Sequence, residues 1–125
     1  MPTVLVIAAE LMMATRLEGL LAGVDCSIVT VDPEQAKIKS AAAHHRPSLL
    51  IVDLTVPDDV RDAAFAAALA FGAQVIAVGP HTDLPRLAAA RALGASEVLP
   101  RSALAQGLAP LVAGRLANRG EPAHS

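Results

Sequence analysis

Short apolar runs alternate with segments of helical spacing along the whole chain. The runs are rich in Val, Ile and Leu, and each predicts a strand. The first run, residues 3–7, is continuous and β-branched, which predicts a strand buried on both faces, and the third is the most apolar. The predicted strands are residues 3–7, 26–31, 48–53, 74–78 and 97–99.

The segments between the strands predict five helices, at about residues 11–22, 33–45, 59–71, 83–93 and 102–116. Asp32 is the predicted N-cap of the second helix, with Pro33 at its first position. Asp58 is the predicted cap of the third helix. Pro110 predicts a kink or a late start in the last helix. A domain of residues 1–117 is then followed by a polar segment, 118–125, that we expect to be disordered.

Strict alternation of strand and helix predicts an α/β fold in which a parallel sheet carries helices on both faces. The crossovers between parallel strands should be right-handed. Parallel strands bring their carboxyl ends to one edge of the sheet, where ligands bind in folds of this class. The residues that follow each strand are therefore the candidates for function.

Composition narrows the possible functions. The chain has 125 residues, which suits one domain, and its two Phe are the only aromatic residues, so the core must be built from small aliphatic side chains. A net charge of −2 gives no basic field for nucleic acid. One cysteine, Cys26, cannot form an internal disulfide, which favours a reducing, cytoplasmic location.

Residues 63–79 form the longest apolar stretch, but they do not predict a membrane span. Gln74 is its only polar side chain, while Gly72 interrupts the stretch and Pro80 follows it. A buried helix followed by a buried strand explains the pattern better. The sequence also lacks the glycine-rich phosphate loops, the G-x-S-x-G elbow and the Cys/His zinc spacings, so we expect a non-enzymatic role.

Three features in register resemble the receiver domain of bacterial response regulators, of the chemotaxis-regulator type. Asp53 ends the third strand with Pro57 four residues later, the fourth helix ends in Gly94-Ala95, and Arg101 follows the fifth strand. The resemblance covers about residues 3–116. It implies a flavodoxin-like, doubly wound five-stranded sheet in the order 2-1-3-4-5. It also implies phosphorelay signalling in a two-component system, a histidine kinase or other signalling protein as partner, and a homodimer formed through the fourth and fifth helices.

The resemblance makes Asp53 the phospho-acceptor position, but the positions around it depart from the family pattern. The family's acidic pair falls on Ala8 and Ala9, which leaves only Glu10 as an acidic neighbour after the first strand. The Thr or Ser that senses the phosphoryl group falls on Gly79.

The family's Lys after the fifth strand is Arg101 here, and Ser102 stands where Pro is expected. Glu10, Asp53 and Thr55 are the residual candidates to hold Mg²⁺, and few oxygen ligands remain, so no confident metal site or other cofactor is expected. Arg101 can instead form an ion pair with Asp53 without any phosphate. The sequence thus predicts an atypical receiver with weak or no Mg²⁺-dependent phosphorylation.

Two other functions stay open at this point. The domain can act as a protein-interaction or dimerisation module that needs no phosphorylation. It can also bind a small ligand at the same edge of a flavodoxin-like fold, with Gly79 permitting close approach of the ligand.

Overall fold

The computed structural model describes residues 1–118 and contains one five-stranded sheet in the order β2-β1-β3-β4-β5. Every neighbouring pair of strands is parallel. The strands are β1 (Thr3–Ile7), β2 (Ser27–Val31), β3 (Leu49–Asp53), β4 (Gln74–Gly79) and β5 (Glu97–Pro100). This arrangement confirms the predicted flavodoxin-like fold and its strand order.

Five α-helices follow the strands in turn. They are α1 (Leu11–Leu21), α2 (Gln35–His45), α3 (Asp58–Phe71), α4 (Leu84–Ala92) and α5 (Leu104–Asn118). A short 3₁₀ turn, Arg101–Ala103, precedes α5. Within residues 1–118, no helix has both the length and the apolar character needed to cross a bilayer.

The two faces of the sheet are covered by different helices. Alternate residues of β1 and β3 point to opposite sides: Leu5 and Leu50 pack with α2, α3 and α4, whereas Val4 and Leu49 pack with α1 and α5. All five residues of β3 are buried, because this strand lies in the middle of the sheet. Small side chains of α3, such as Ala64 and Ala68, fill the core as the composition predicts.

The start of α2 differs from the prediction. The helix begins at Gln35 after an extended Glu34, so Asp32 is not its N-cap and Pro33 is not its first residue. The Asp32 carboxylate instead accepts a hydrogen bond from the Lys37 ammonium at 2.8 Å. The hydrogen bonds from Lys37 to Asp32 and then to Glu34 raise the pKa of the Lys37 side chain.

The N-cap of α3 lies one residue before the predicted position. Pro57 is the N-cap residue and Asp58 is the first helical residue, with no side-chain capping hydrogen bond. The carboxylates of Asp58 and Asp59 still lie in the first turn, where the helix dipole favours negative charge. At α4 the pattern is different, since the Asp83 side chain accepts a hydrogen bond from the Arg86 N–H.

The last helix runs continuously from Leu104 to Asn118 with Pro110 inside it, so the predicted late start at Pro110 is wrong. Because proline has no N–H, the Gln106 carbonyl four residues earlier lacks its usual helical partner. Asn118, predicted as the first residue of a tail, is the last residue of α5. Residues 119–125 of the predicted disordered segment lie outside the described residues.

Arg46 ends α2 in a left-handed conformation. Its φ is 46°, and within residues 1–118 it is the only non-glycine residue with positive φ. Its N–H donates to the Ala42 carbonyl at 2.9 Å, which closes the helix. A left-handed residue with a Cβ carries about 1–2 kcal/mol of steric strain.

We expect Arg46→Gly to raise the free energy of unfolding by about 0.5–1 kcal/mol, because relief of this strain exceeds the entropy that glycine adds to the unfolded chain. Gly72, which ends α3 at φ 66° with nothing near its missing Cβ, provides the reverse control. Gly72→Ala should lower the same free energy by about 1 kcal/mol. Urea unfolding followed by circular dichroism measures both, and a destabilised Arg46→Gly protein would contradict the assignment.

Candidate functional site

The carboxylate of Asp53 is buried at the carboxyl end of β3, with 1% of the residue exposed. Its Oδ1 accepts hydrogen bonds from the Thr55 N–H at 3.1 Å and from the Thr55 hydroxyl at 2.9 Å. The Ala9 N–H donates to Oδ2 at 3.4 Å. A buried charge needs such partners, since desolvation without them is very costly.

Arg101 supplies the positive charge. Its Nη2 lies 3.4 Å from Asp53 Oδ1, and 40% of the Arg101 side chain is exposed to solvent. Only one nitrogen of Arg101 contacts Asp53 and the distance is long, so this ion pair is weaker than a bidentate Arg–carboxylate pair. The Arg101 Nε is buried and has no hydrogen-bond partner within the described part of the chain.

Glu10 shares a cavity with this pair. The cavity has a volume of about 240 Å³ and is lined by Glu10, Asp53 and Arg101 together with Met12, Met13 and Arg16 of α1. Glu10 is exposed and is the N-cap residue of α1, without a side-chain capping hydrogen bond. The fold therefore brings the acid after β1, the acid ending β3 and the guanidinium after β5 to one place.

Two other sequence candidates have different surroundings. The Thr55 hydroxyl donates to Asp53, and the side chain is otherwise exposed at the start of the loop to α3. Ser102 is exposed on the 3₁₀ turn and does not line the cavity.

Gly79 is the last residue of β4, and neighbouring side chains fill the space beside it. A Cβ built on Gly79 would lie 3.2 Å from Leu54 Cδ1 and 3.3 Å from Leu87 Cδ2, which is tighter than most contacts of real side chains. The buried Leu54 thus occupies the space into which a hydroxyl side chain at position 79 would point. Leucine side chains fill the space on this side of Gly79, and the hypothesis that Gly79 permits close approach of a ligand stays a prediction for the rest of its surroundings.

Arg86 joins the site to α4, a contact that sequence reasoning missed. Its Nη1 donates to the Leu54 carbonyl at 2.6 Å, and its Nε lies 3.0 Å from the Asp83 carboxylate. The Leu54 N–H donates to the Val78 carbonyl at 2.8 Å. The only signal in the sequence is the spacing of Asp83 and Arg86, which places both on the first turn of α4.

The donors around Asp53 do not suit Mg²⁺. This ion requires about six oxygen ligands in octahedral geometry. Asp53 Oδ1 already has three N–H or O–H donors, one of them a guanidinium that repels a second cation. Within residues 1–118, no group of three His, Cys, Asp or Glu side chains could hold a metal ion.

No model of a protein family matches the chain, and no curated protein matches it significantly. Solved structures do match its fold. A response regulator receiver protein from Burkholderia phymatum has a TM-score of 0.78 at 21% identity, over 94% of this chain and 96% of that one. A response regulator receiver domain protein from Methanospirillum hungatei JF-1 has a TM-score of 0.78 at 13% identity, over 94% and 95%. The signal receiver domain of a modulated diguanylate cyclase from Desulfovibrio desulfuricans G20 has 0.79 at 17%, over 94% and 95%.

The chain has the receiver-domain fold. Within this receiver fold Asp53 ends the third strand and Arg101 follows the fifth, in the register that the sequence resemblance requires. The positions of the acidic pair carry no side-chain oxygen because both are alanines, of which Ala8 is buried and Ala9 is half-buried. Ala9 approaches Asp53 through its backbone N–H instead.

We expect Gly79→Ala to lower the free energy of unfolding by about 1–3 kcal/mol, because the added methyl group overpacks the contact with Leu54 and Leu87. Gly114 on α5 has open space around its missing Cβ and is the matched control. Gly114→Ala should raise the free energy of unfolding by about 1 kcal/mol through helix propensity. If urea denaturation shows no loss for Gly79→Ala, the space beside residue 79 is not closed.

We expect Asp53→Asn to lower the free energy of unfolding by about 1–3 kcal/mol, since the charge-assisted hydrogen bonds to Thr55 and Arg101 are lost. Arg101→Gln should cost less, because the side chain is partly exposed. A double-mutant cycle should give a coupling of about 0.5–1 kcal/mol between the two sites. Glu10→Gln removes an exposed charge from the same cavity and should change stability by less than about 0.5 kcal/mol. A coupling of zero would mean that the ion pair does not stabilise the fold.

Proposed function

We propose that this protein is an atypical receiver of two-component signal transduction that works in the cytoplasm through protein contacts rather than through catalysis. Its partner would be a histidine kinase or another signalling protein. The observation that carries the proposal is the buried Asp53 carboxylate at the acceptor position of a receiver fold, already compensated by Arg101 and by N–H donors.

Weak or absent phosphorylation forms part of the proposal. Transfer of a phosphoryl group to a carboxylate brings anionic groups together, and a divalent cation held by oxygen ligands normally offsets their repulsion. Ala8 and Ala9 offer no side-chain oxygen, and Glu10 is the only acid near Asp53 in the cavity. The Asp53 carboxylate is therefore already compensated by other groups, and its surroundings lack the oxygen ligands for a divalent cation that would assist the transfer.

Arg101 favours a receiver that holds one conformation without phosphate. Its guanidinium is 3.4 Å from Asp53 and fixes the end of β5 relative to the end of β3. Such a domain would signal when a partner protein binds to it or dissociates from it. A phosphorylation-independent interaction module is therefore the second candidate. Pairing through α4 and α5, which the resemblance implies, remains a prediction, and the exposed Leu84 and Leu93 of the α4 region are compatible with it.

Binding of nucleic acid or of a small ligand receives less support. The net charge of −2 offers no attraction to a phosphate backbone. The packing of Leu54 and Leu87 beside Gly79 leaves less room for a ligand on that side of the carboxyl edge.

Phosphorylation by a small-molecule donor tests the proposal. We expect the wild-type protein, incubated with acetyl phosphate and Mg²⁺, to show little or no phosphoryl adduct by intact mass spectrometry, under conditions that label an ordinary receiver. Ala9→Asp restores an oxygen ligand next to Asp53 and should increase the adduct, because the missing ligand limits the reaction. The increase should disappear in Ala9→Asp/Asp53→Asn.

Stoichiometric labelling of the wild-type protein that Asp53→Asn abolishes would overturn the phosphorylation-independent part of the proposal. It would leave the receiver assignment in place. Labelling that persists in Asp53→Asn would remove the acceptor role from this position.

A further inference from the structure

An apolar groove lies between α2 and α3, and the site described above does not use it. Its volume is about 540 Å³, and its walls are mainly alanines of both helices with one phenylalanine: Ala36, Ala43, Ala63, Ala66, Ala70 and Phe71. It shares no residue with the Asp53 cavity. Nearby on α3, Leu69 is 84% exposed and Phe71 is 38% exposed. Large apolar side chains beside an apolar groove are typical of a protein contact surface.

The two helices that form the groove carry opposite charges. The first turns of α3 contain Asp58, Asp59 and Asp62, whereas α2 contains Lys37 and Lys39. Lys37 is already paired with Asp32 and Glu34. Lys39, which lines the groove, forms no ion pair with any residue in the described range 1–118.

The positions of these charges are matched along the helix axes. Both helices return antiparallel to the strands of one parallel sheet and cover the same face, so they run parallel to each other. The Gln35 amide donates to the Asp59 carboxylate at 2.7 Å, which sets the two helix starts level. Lys39 is then the fifth residue of α2, and Asp62 is the fifth residue of α3. Asp62 already forms an ion pair with Arg61 of the same helix at 2.9 Å, and Lys39 of a second copy would add a second cation to that carboxylate.

A two-fold axis parallel to the groove would exchange the two helices. It would place α2 of one copy over α3 of the other, with Lys39 level with Asp62 and the exposed Leu69 near the far end of the partner's groove. Each copy then contributes the same two helices and the same charges to the contact, as an isologous interface requires. We propose that this protein forms a homodimer through its α2–α3 face.

The size of the face sets the expected strength of the dimer. Helices of 11 and 14 residues are roughly 16 and 21 Å long, so the face measures about 20 by 20 Å. Two such faces would bury about 800 Å² in total, below the usual range of stable specific interfaces, so we expect a weak dimer with a dissociation constant in the upper micromolar range. The contact is independent of the α4–α5 pairing that the receiver resemblance implies, and the two faces can be tested against each other.

Sedimentation velocity on the full chain, over a concentration series from about 1 to 500 µM, measures the association. We expect Ala66→Arg, which puts a cation into the groove from an exposed helix position, to raise the dissociation constant by at least about tenfold. Ala88→Arg on α4 and Ala105→Arg on α5 are exposed, matched controls and should leave it unchanged. Circular dichroism of each variant checks the fold.

A charge exchange tests the register even if Ala66→Arg disturbs α3. Lys39→Glu and Asp62→Lys should each weaken the dimer, whereas the double variant should restore it by re-forming the pair with reversed signs. The proposal is overturned if the protein is monomeric throughout the series, if Ala88→Arg or Ala105→Arg abolishes the dimer while Ala66→Arg does not, or if the double variant shows no restoration.

Discussion

Compensation of one buried carboxylate organises the carboxyl edge of the sheet. Asp53 ends the central strand β3 and is almost fully removed from water, so its charge must be balanced by nearby donors. The donors come from three separate connections of the chain: Ala9 after β1, Thr55 after β3 and Arg101 after β5. These three loops therefore meet around this single charge.

Most of the fold could be predicted from the sequence, because β1 and β3 are continuous apolar runs that fit the interior of a parallel sheet and helical segments alternate with all five strands. Helix starts were harder to predict, since Asp32 and Asp58 carry the side chains of N-caps but use them differently. Asp32 binds the ammonium of Lys37, and Asp58 lies inside the first turn behind Pro57. A short polar residue in the sequence indicates that a helix start is near. Whether its side chain caps the helix depends on which other group it binds.

The grouping of Glu10, Asp53 and Arg101 could also be predicted, because topology alone brings the ends of β1, β3 and β5 to one edge. The packing around Gly79 could not. It depends on the conformations of Leu54 and Leu87, which the sequence does not specify, although a missing side chain at that position had suggested open space. Residues 63–71 of α3 posed a similar difficulty, since a segment that is apolar on all sides does not show which face the sheet covers.

Leu54 connects the carboxylate to α4 through three different contacts. Its N–H bonds to β4, its carbonyl accepts from Arg86, and its side chain packs beside Gly79 and Leu87. Any molecule that binds α4 only after drawing Arg86 away must also supply the free energy of that hydrogen bond. Binding of that kind and loss of the hydrogen bond between Arg86 and Leu54 would be thermodynamically coupled, so that each favours the other by the same factor.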